Sequence, residues 1–311
     1  MKVKNIIKLA ATAGITAVAI PAIKKDLETP QGKRRLYDGV NSLANGLCTA
    51  VGAFLPSAQR DDILDFTPEC QFSGTDKFIS EPLPNAKWHL GYSKVSILPE
   101  DLSKDKYFIA GYLAFPPNVA NGALDDQMIR CISLWDGTER GTVVFAVIDC
   151  VGISNADIED IRSRLKDFAE EKNIVSINIS ATHSHSCIDT MGVWGELTTA
   201  LKVNPSKIKN GETDFSTGRN AEFMENLKVQ AVNKIKEAAE NMKPGKLYKG
   251  VQDGSKFMRD KRPPDVMITD IVSLVFRPDD GSTPTRAVIM SAHPTQFGGN
   301  NKIVSGDSSI F

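Results

Sequence analysis

Nothing in the cysteine content of this chain points to a disulfide framework or a zinc knuckle. The five cysteines (Cys48, Cys70, Cys131, Cys150 and Cys187) are odd in number, and no two stand at CxxC spacing. Cys131 and Cys150 lie in strand-like runs and read as small core residues. An excess of one charge is missing too. The chain has 37 Lys+Arg against 38 Asp+Glu, a formal net charge of −1, so no overall field draws it to nucleic acid. Basic clusters at Lys33-Arg34-Arg35 and from Lys256 to Arg262 have acidic neighbours. There is no HExxH and no run of aspartates suited to two metals, which ranks a peptidase or phosphoesterase reading last. Internal repeats and low-complexity tracts are absent.

The amino terminus lacks a full membrane span. Residues 9–23 form an apolar stretch of fifteen residues, about 22 Å as helix against a ~30 Å hydrocarbon core. Lys2, Lys4 and Lys8 precede it, Ala17-Val18-Ala19 resembles a cleavage site, and Lys24-Lys25 follow. A positive start and a short apolar stretch fit a secretory signal; the trailing basic pair fits an uncleaved anchor. A surface amphipathic helix is the alternative. The expectation is a signal or anchor-like segment over 1–25, placing the protein at a membrane or outside the cell.

What is present is enough chain for a real core: 311 residues, 41% hydrophobic. Residues 26–88, punctuated by Pro56, Pro68, Pro82 and Pro84, read as a linker or peripheral helical and loop segment. Regular structure is expected from about residue 88, with strands over 94–98, 107–113, 128–135 and 142–149. Asn155 is placed to cap a helix reaching 171, with Ile158, Ile161, Leu165 and Phe168 at helical spacing. A strand over 174–180 follows, and this strand–helix–strand unit argues for parallel character. Residues 188–219 read as a long loop. A helix over 220–242 carries Phe223, Leu227, Val229, Ile235 and Ala238, with Pro244-Gly245 as its stop. Strands over 246–252, 271–276 and 286–291 complete the set, the last two paired across Asp279-Asp280-Gly281. The fold class is α/β (or α+β), with mixed sheet layers covered by helices and incomplete at the carboxyl end.

Histidine is scarce, four in all, and three of the four sit in two strand-end segments. Residues 177–186 read Ile-Asn-Ile-Ser-Ala-Thr-His-Ser-His-Ser, and 287–295 read Ala-Val-Ile-Met-Ser-Ala-His-Pro-Thr. In an extended loop residues two apart point the same way, so His183 and His185 face one cavity. Neutral imidazole is a common zinc ligand, and catalytic zinc takes three protein ligands plus an open position. Asp149, Asp189 and Asp307 are the candidate carboxylates to complete such a set. His89 receives no role. Trp194 reads as a buried anchor or a lipid-facing lid residue.

The segment Ala181-Thr-His-Ser-His-Ser186 resembles the Ala-Thr-His-Thr-His-Ser of the neutral/alkaline non-lysosomal ceramidases. Further landmarks recur in the same order. Lys94-Val-Ser-Ile-Leu-Pro99 resembles the family's opening strand, Gly111-Tyr112 its Gly-Tyr, and the run from Asp126 to Trp135 its Ala-Arg-Ala strand. Phe145 to Gly152 resembles its strand with an internal Asp, and Phe257-Met-Arg-Asp-Lys-Arg-Pro-Pro264 its Asn-Arg segment. His293-Pro-Thr followed by Asn301 and Ser305-Gly-Asp307 resembles its His-x-Thr, Asn and Ser-x-Asp motifs. The likeness implies an amino-terminal part of the catalytic domain over 89–311. It implies zinc bound by His183 and His293, His185 beside the substrate, and Arg259 in the substrate site, although Met258 replaces the family's Asn. Asp149 and Asp307 are possible additional ligands. The implied activity is zinc-dependent hydrolysis of the N-acyl bond of ceramide or a related lipid amide, at a membrane surface, giving a fatty acid and an amine. The alternative is a non-catalytic or truncated relative that binds lipid or a partner.

The departures are specific. The family's nucleophilic Ser and its Glu and Tyr zinc ligands lie beyond the position matching Phe311; Ser308 and Ser309 do not match the nucleophile. Asp125 stands where the family commonly has a histidine, and Gln296-Phe297 replaces Ser-Met. The expectation is a piece of a longer enzyme whose apparatus needs downstream sequence, with weak metal binding unless Asp149 or Asp307 substitutes.

Overall fold

The computed structural model describes Lys25, Thr29, Gly32 and residues 83–114, 116–196, 218–260 and 266–307. The segments expected over 1–25 and 26–88 lie almost wholly outside these. Among the described residues no helix is long and apolar enough to cross a membrane. The chain divides into two compact units. The smaller comprises Met1–Gln59 with Phe257–Ile268, and the larger Arg60–Lys256 with Thr269–Phe311. In the smaller unit the Gly32 amide donates to Thr29 Oγ1 at 3.0 Å and the Val266 amide to the Asp260 carboxylate at 3.1 Å. The elements that follow belong to the larger unit.

A seven-stranded mixed sheet organises it. Strands β1 (Trp88–Ser96), β3 (Met128–Trp135), β4 (Thr142–Ile148), β5 (Ile174–Ala181), β6 (Lys243–Asp253), β7 (Asp270–Pro278) and β8 (Thr285–Ile289) run in the order β5-β4-β3-β1-β6-β7-β8. Only β4 and β5 pair in parallel, joined by helices α1 (Asn155–Ser163) and α2 (Lys166–Glu171). Two short strands, β2 (Gly122–Ala123) and β9 (Ile303–Val304), form a separate parallel pair. The α/β expectation holds. Alternation decides what is inside. Thr142, Val144, Ala146 and Ile148 are buried on β4, while Phe145 between them is 46% exposed. Helix α3 (Ala221–Glu240) lays Phe223, Met224, Leu227, Val232 and Ile235 into the core that β3, β4 and β5 line. Each such large side chain contributes about 1.5–3 kcal/mol of apolar burial.

Several boundaries differ from the sequence expectation. The helix expected over 155–171 is two helices. The Leu165 amide bonds to the Arg162 carbonyl three residues back, which tightens the turn and interrupts the α-ladder. Ile161, Leu165 and Ala169 nonetheless stay on one buried stripe. The cap is Ser154 rather than Asn155, because the Ser154 hydroxyl accepts the Asp157 amide at 3.1 Å. Val229, expected on the buried face of α3, is 39% exposed. Pro244-Gly245 does not stop α3. Asn241 caps it, and Pro244 and Gly245 lie inside β6. The strand expected over 107–113 is absent. Phe108 and Ile109 make only isolated bridges to Val119 and Ile188, and Gly111 at φ +104° turns the chain away. The β7–β8 hairpin is present as expected.

One close approach fixes α3 on the sheet. The Asn241 amide group brackets Tyr92, accepting from its N–H at 3.1 Å and donating to its carbonyl at 2.9 Å. Beside it, a Cβ on Gly91 would lie 1.9 Å from the Ala238 carbonyl oxygen. Gly91→Ala is therefore expected to lever the carboxyl end of α3 off β1. The expected loss is about 1–3 kcal/mol in urea unfolding, the usual cost of overpacking. An unfolding midpoint equal to the parent's would contradict this.

Candidate metal centre

The parallel pair β4–β5 sets the first part of the site at its carboxyl ends, the usual place for ligands in such sheets. Beyond β5 the chain keeps company with the extension of β4. The Thr182 amide bonds to the Ile148 carbonyl at 3.0 Å and the Ser184 amide to the Cys150 carbonyl at 3.1 Å. Between them His183 takes a left-handed backbone, φ +60°. Histidine visits that region more readily than most residues, but it still stores strain, and such strain gathers at sites. His183 Nδ1 lies 2.6 Å from the Val151 carbonyl oxygen. A carbonyl only accepts, so Nδ1 carries the proton and Nε2 presents its lone pair. Metal-binding histidines are held in this way.

His185 and His293 join it. His185 Nε2 lies 3.4 Å from His183 Nε2 and 2.7 Å from His293 Nε2. One ring nitrogen from each of the three falls within 4.8 Å of the others. The ring centroids are 4.6–5.0 Å apart with interplanar angles of 58–78°, so the rings fan edge to face rather than stack. His183 follows β5 and His293 follows β8, the two edge strands of the sheet order. Burial, then the neighbouring His293 and His183 rings, push the His185 imidazole below its ordinary pKa, favouring the neutral, ligating form. Its Nδ1 is buried against the Gly111 backbone without a well-formed hydrogen bond, and the Tyr112 ring meets it edge-on at 5.0 Å.

None of the three carboxylates suggested by the sequence falls within this nitrogen cluster. Asp149 is fully buried and accepts from the Met128 amide at 3.0 Å and the Arg130 guanidinium at 2.8 Å. Asp307, also buried, accepts from the Ser184 hydroxyl at 2.6 Å, the His185 amide at 2.9 Å and the Ser186 hydroxyl at 3.1 Å. It is a clasp beneath the loop. Asp125 carries the clasp one step further, accepting the Ser305 hydroxyl and the Gly306 amide, each at 2.7 Å. Asp189 accepts the Met191, Gly192 and Trp194 amides and shapes the turn beyond the loop; Trp194 is half-buried. Arg259 belongs to the smaller unit, where it is exposed in a stretch without regular structure. Burial pushes the Cys131 and Cys150 thiols up to about 12 and Cys187 well up, so these three are core residues rather than thiolate ligands.

Sequence reading passed over the roles of Gly111, Tyr112, Asp125 and the Val151 carbonyl. The positive φ and close ring approach at Gly111 have only the glycine itself as a signal, and a backbone carbonyl has none.

The same architecture occurs in solved structures. One is a ceramidase complexed with C2, at 18% identity and a TM-score of 0.54, covering 71% of this chain and 33% of that one. Another is the neutral ceramidase from Pseudomonas aeruginosa, at 16% identity and a TM-score of 0.54, covering 72% of this chain and 34% of that one. The chain thus has a ceramidase-like fold and spans about a third of the length of those proteins. No family model matches the chain, and no curated protein matches it.

Proposed function

We propose that this chain carries the metal-binding part of a zinc-dependent amide hydrolase of the neutral ceramidase type. The substrate would be ceramide or a related lipid amide, cleaved at the N-acyl bond to a fatty acid and an amine. The observation that carries the reading is the meeting of His183 and His293, 110 positions apart in sequence, around one point on a ceramidase-like fold. The donor set fits zinc: imidazoles, one with its tautomer fixed so that Nε2 is bare. When bound, zinc polarises the amide carbonyl toward attack. His183 and His293 hold the ion, and the Asp307 clasp keeps the loop bearing His183 in register with the segment bearing His293. On the resemblance alone, Arg259 is assigned to steady the oxyanion. On the same basis the apolar stretch at 9–23 is assigned to membrane attachment or export, beside a lipid substrate.

The test is fatty-acid release from a fluorescent ceramide by the full-length protein loaded with zinc. Release is expected, and His183→Ala is expected to reduce it to background while leaving the melting temperature of the zinc-free protein within a few degrees. No release from full-length, zinc-loaded protein would defeat the assignment.

A further inference from the structure

The three helices share one core on one face of the seven-stranded sheet. Ser93, Cys131 and Ala146 form a row on that face, and the Ser93 hydroxyl donates to the Lys234 carbonyl of α3 at 2.6 Å. We infer that the opposite face is a packing surface for a second β-sheet, formed by sequence that follows residue 311. The inference concerns the fold and is independent of the metal reading.

Three observations carry it. First, the opposite face is apolar and open. Side chains alternate along a strand, and residues opposite each other in register share a face. Tyr92, Ile132 and Phe145 therefore form one row across β1, β3 and β4, with Tyr92 37% and Phe145 46% exposed. Leu90, on the same side as Tyr92, stands opposite Lys243, which joins β6 to this face. Val251, an even number of residues further along β6, forms a second row with Val272 and Ile289 across β6, β7 and β8. Val251 is 55% and Ile289 58% exposed. Scattered exposed apolar residues are ordinary, but rows of them across six strands are not. Second, β7 has the sequence of a covered strand. Ile271-Val-Ser-Leu-Val-Phe276 is apolar at odd and even positions alike, Ser273 apart, the pattern of a strand buried on both sides. Yet only Phe276 is buried, and the five residues before it are half-buried although β7 lies between β6 and β8. Third, size and length point to the occupant. At about 3.3 Å per residue and 4.8 Å between strands, the seven strands present a face on the order of 900 Å². That matches the roughly 800 Å² per partner of a stable interface and exceeds a small-molecule site. A flat pleated surface with free apolar rows is complementary to another sheet, whose rows interdigitate with it. The two solved ceramidases share this architecture over 33% and 34% of their length, so about two thirds of each lies outside the shared part and is there to supply such a layer.

Hydroxyl-radical footprinting read by mass spectrometry reports the exposure of individual side chains. The 311-residue chain is compared with the longer polypeptide encoded by the same gene. Tyr92 and Phe145 are expected to oxidise readily in the 311-residue chain at every concentration, and several-fold more slowly in the longer polypeptide. Val229, exposed on α3, is expected to keep its rate, and buried Leu227 to stay unreactive in both, which shows that the shared part is folded. Phe145→Glu gives a second reading. It is expected to leave the urea midpoint of the 311-residue chain near its parent's, because that side chain already meets water, and to lower the midpoint of the longer polypeptide. Equal Tyr92 and Phe145 rates in the two polypeptides overturn the inference. Protection that appears in the 311-residue chain as its concentration rises also overturns it, and assigns the face to a second copy. A gene that stops after codon 311 overturns it as well. Zinc enters neither measurement, so each of these outcomes leaves the metal reading standing.

Discussion

Asp307→Ala is expected to cost about 3–5 kcal/mol of stability and to strip the chain of zinc at concentrations that saturate the parent. The side chain is buried, and three donors converge on its two oxygens: the hydroxyls of Ser184 and Ser186 and the amide of His185. Ser184 and Ser186 are themselves buried. Removing the acceptor leaves these groups without their partner, at about 1–3 kcal/mol for each that water cannot reach. The Ser184 hydroxyl has a second, poorer acceptor in the Ser305 carbonyl at 3.3 Å, which limits the loss. The functional consequence is larger than the energetic one. Asp307 lies on the same segment as His293, and its carboxylate grips the loop that bears His183 and His185. Cutting this clasp separates the two halves of the nitrogen cluster. Asp307 also has a left-handed backbone, φ +54°, which Asp and Asn tolerate better than Ala. Asp307→Asn therefore isolates the hydrogen bonds from the backbone: it keeps the conformation but turns an amide donor toward hydroxyl and amide donors. Zinc affinity is expected to fall in both variants and stability to fall further in Ala. Urea unfolding and chelator competition on the same samples check this. Parent-like zinc affinity in the Asn variant would refute the clasp.

The regular half of the fold was legible because burial alternates there with period two. The strand over 128–135 reads directly from sequence, since Ile129, Cys131 and Ser133 face the core and their neighbours do not. The same logic failed at 107–113, where an apolar run resembles a strand but Gly111 and the prolines at 116 and 117 divert the chain beside the histidines. The site was half legible. Imidazoles after β-branched runs mark ligand-bearing loops, but the convergence of segments following β5 and β8 is a three-dimensional fact. A carboxylate at a loop end serves equally as ligand or as acceptor, so the sequence left the role of Asp307 open, and only its neighbours show the donors it accepts.

Gly111→Ala is expected to be nearly as damaging, by a different route. At φ +104° the backbone occupies a region that only glycine enters without strain, and a side chain there costs about 1–3 kcal/mol. The new methyl would also lie 2.5 Å from His185 Cγ, 2.6 Å from Nδ1 and 2.7 Å from Cβ. Atoms do not approach that closely, so either the 108–112 segment retreats or the imidazole tilts forward. The segment is poorly free to retreat. The Ile109 amide bonds to the Asn118 carbonyl at 2.8 Å, the Ala110 amide to the Cys187 carbonyl at 2.9 Å, and Ile109 and Ala110 are both buried. The ring is the softer partner, and it has nowhere to go but into the space among the three Nε2 atoms. Two consequences follow from one methyl group: a stability loss of about 2–4 kcal/mol from strain and overpacking, and a fall in zinc affinity that exceeds what the stability loss alone produces. The second separates positioning from general damage. Gly91→Ala, expected to lose about 1–3 kcal/mol by overpacking far along β1, gives the comparison. At matched destabilisation Gly91→Ala is expected to bind zinc like the parent once folded, and Gly111→Ala is not. Equal zinc affinity in the two folded variants would mean that the glycine at 111 serves the chain path alone and leaves His185 untouched.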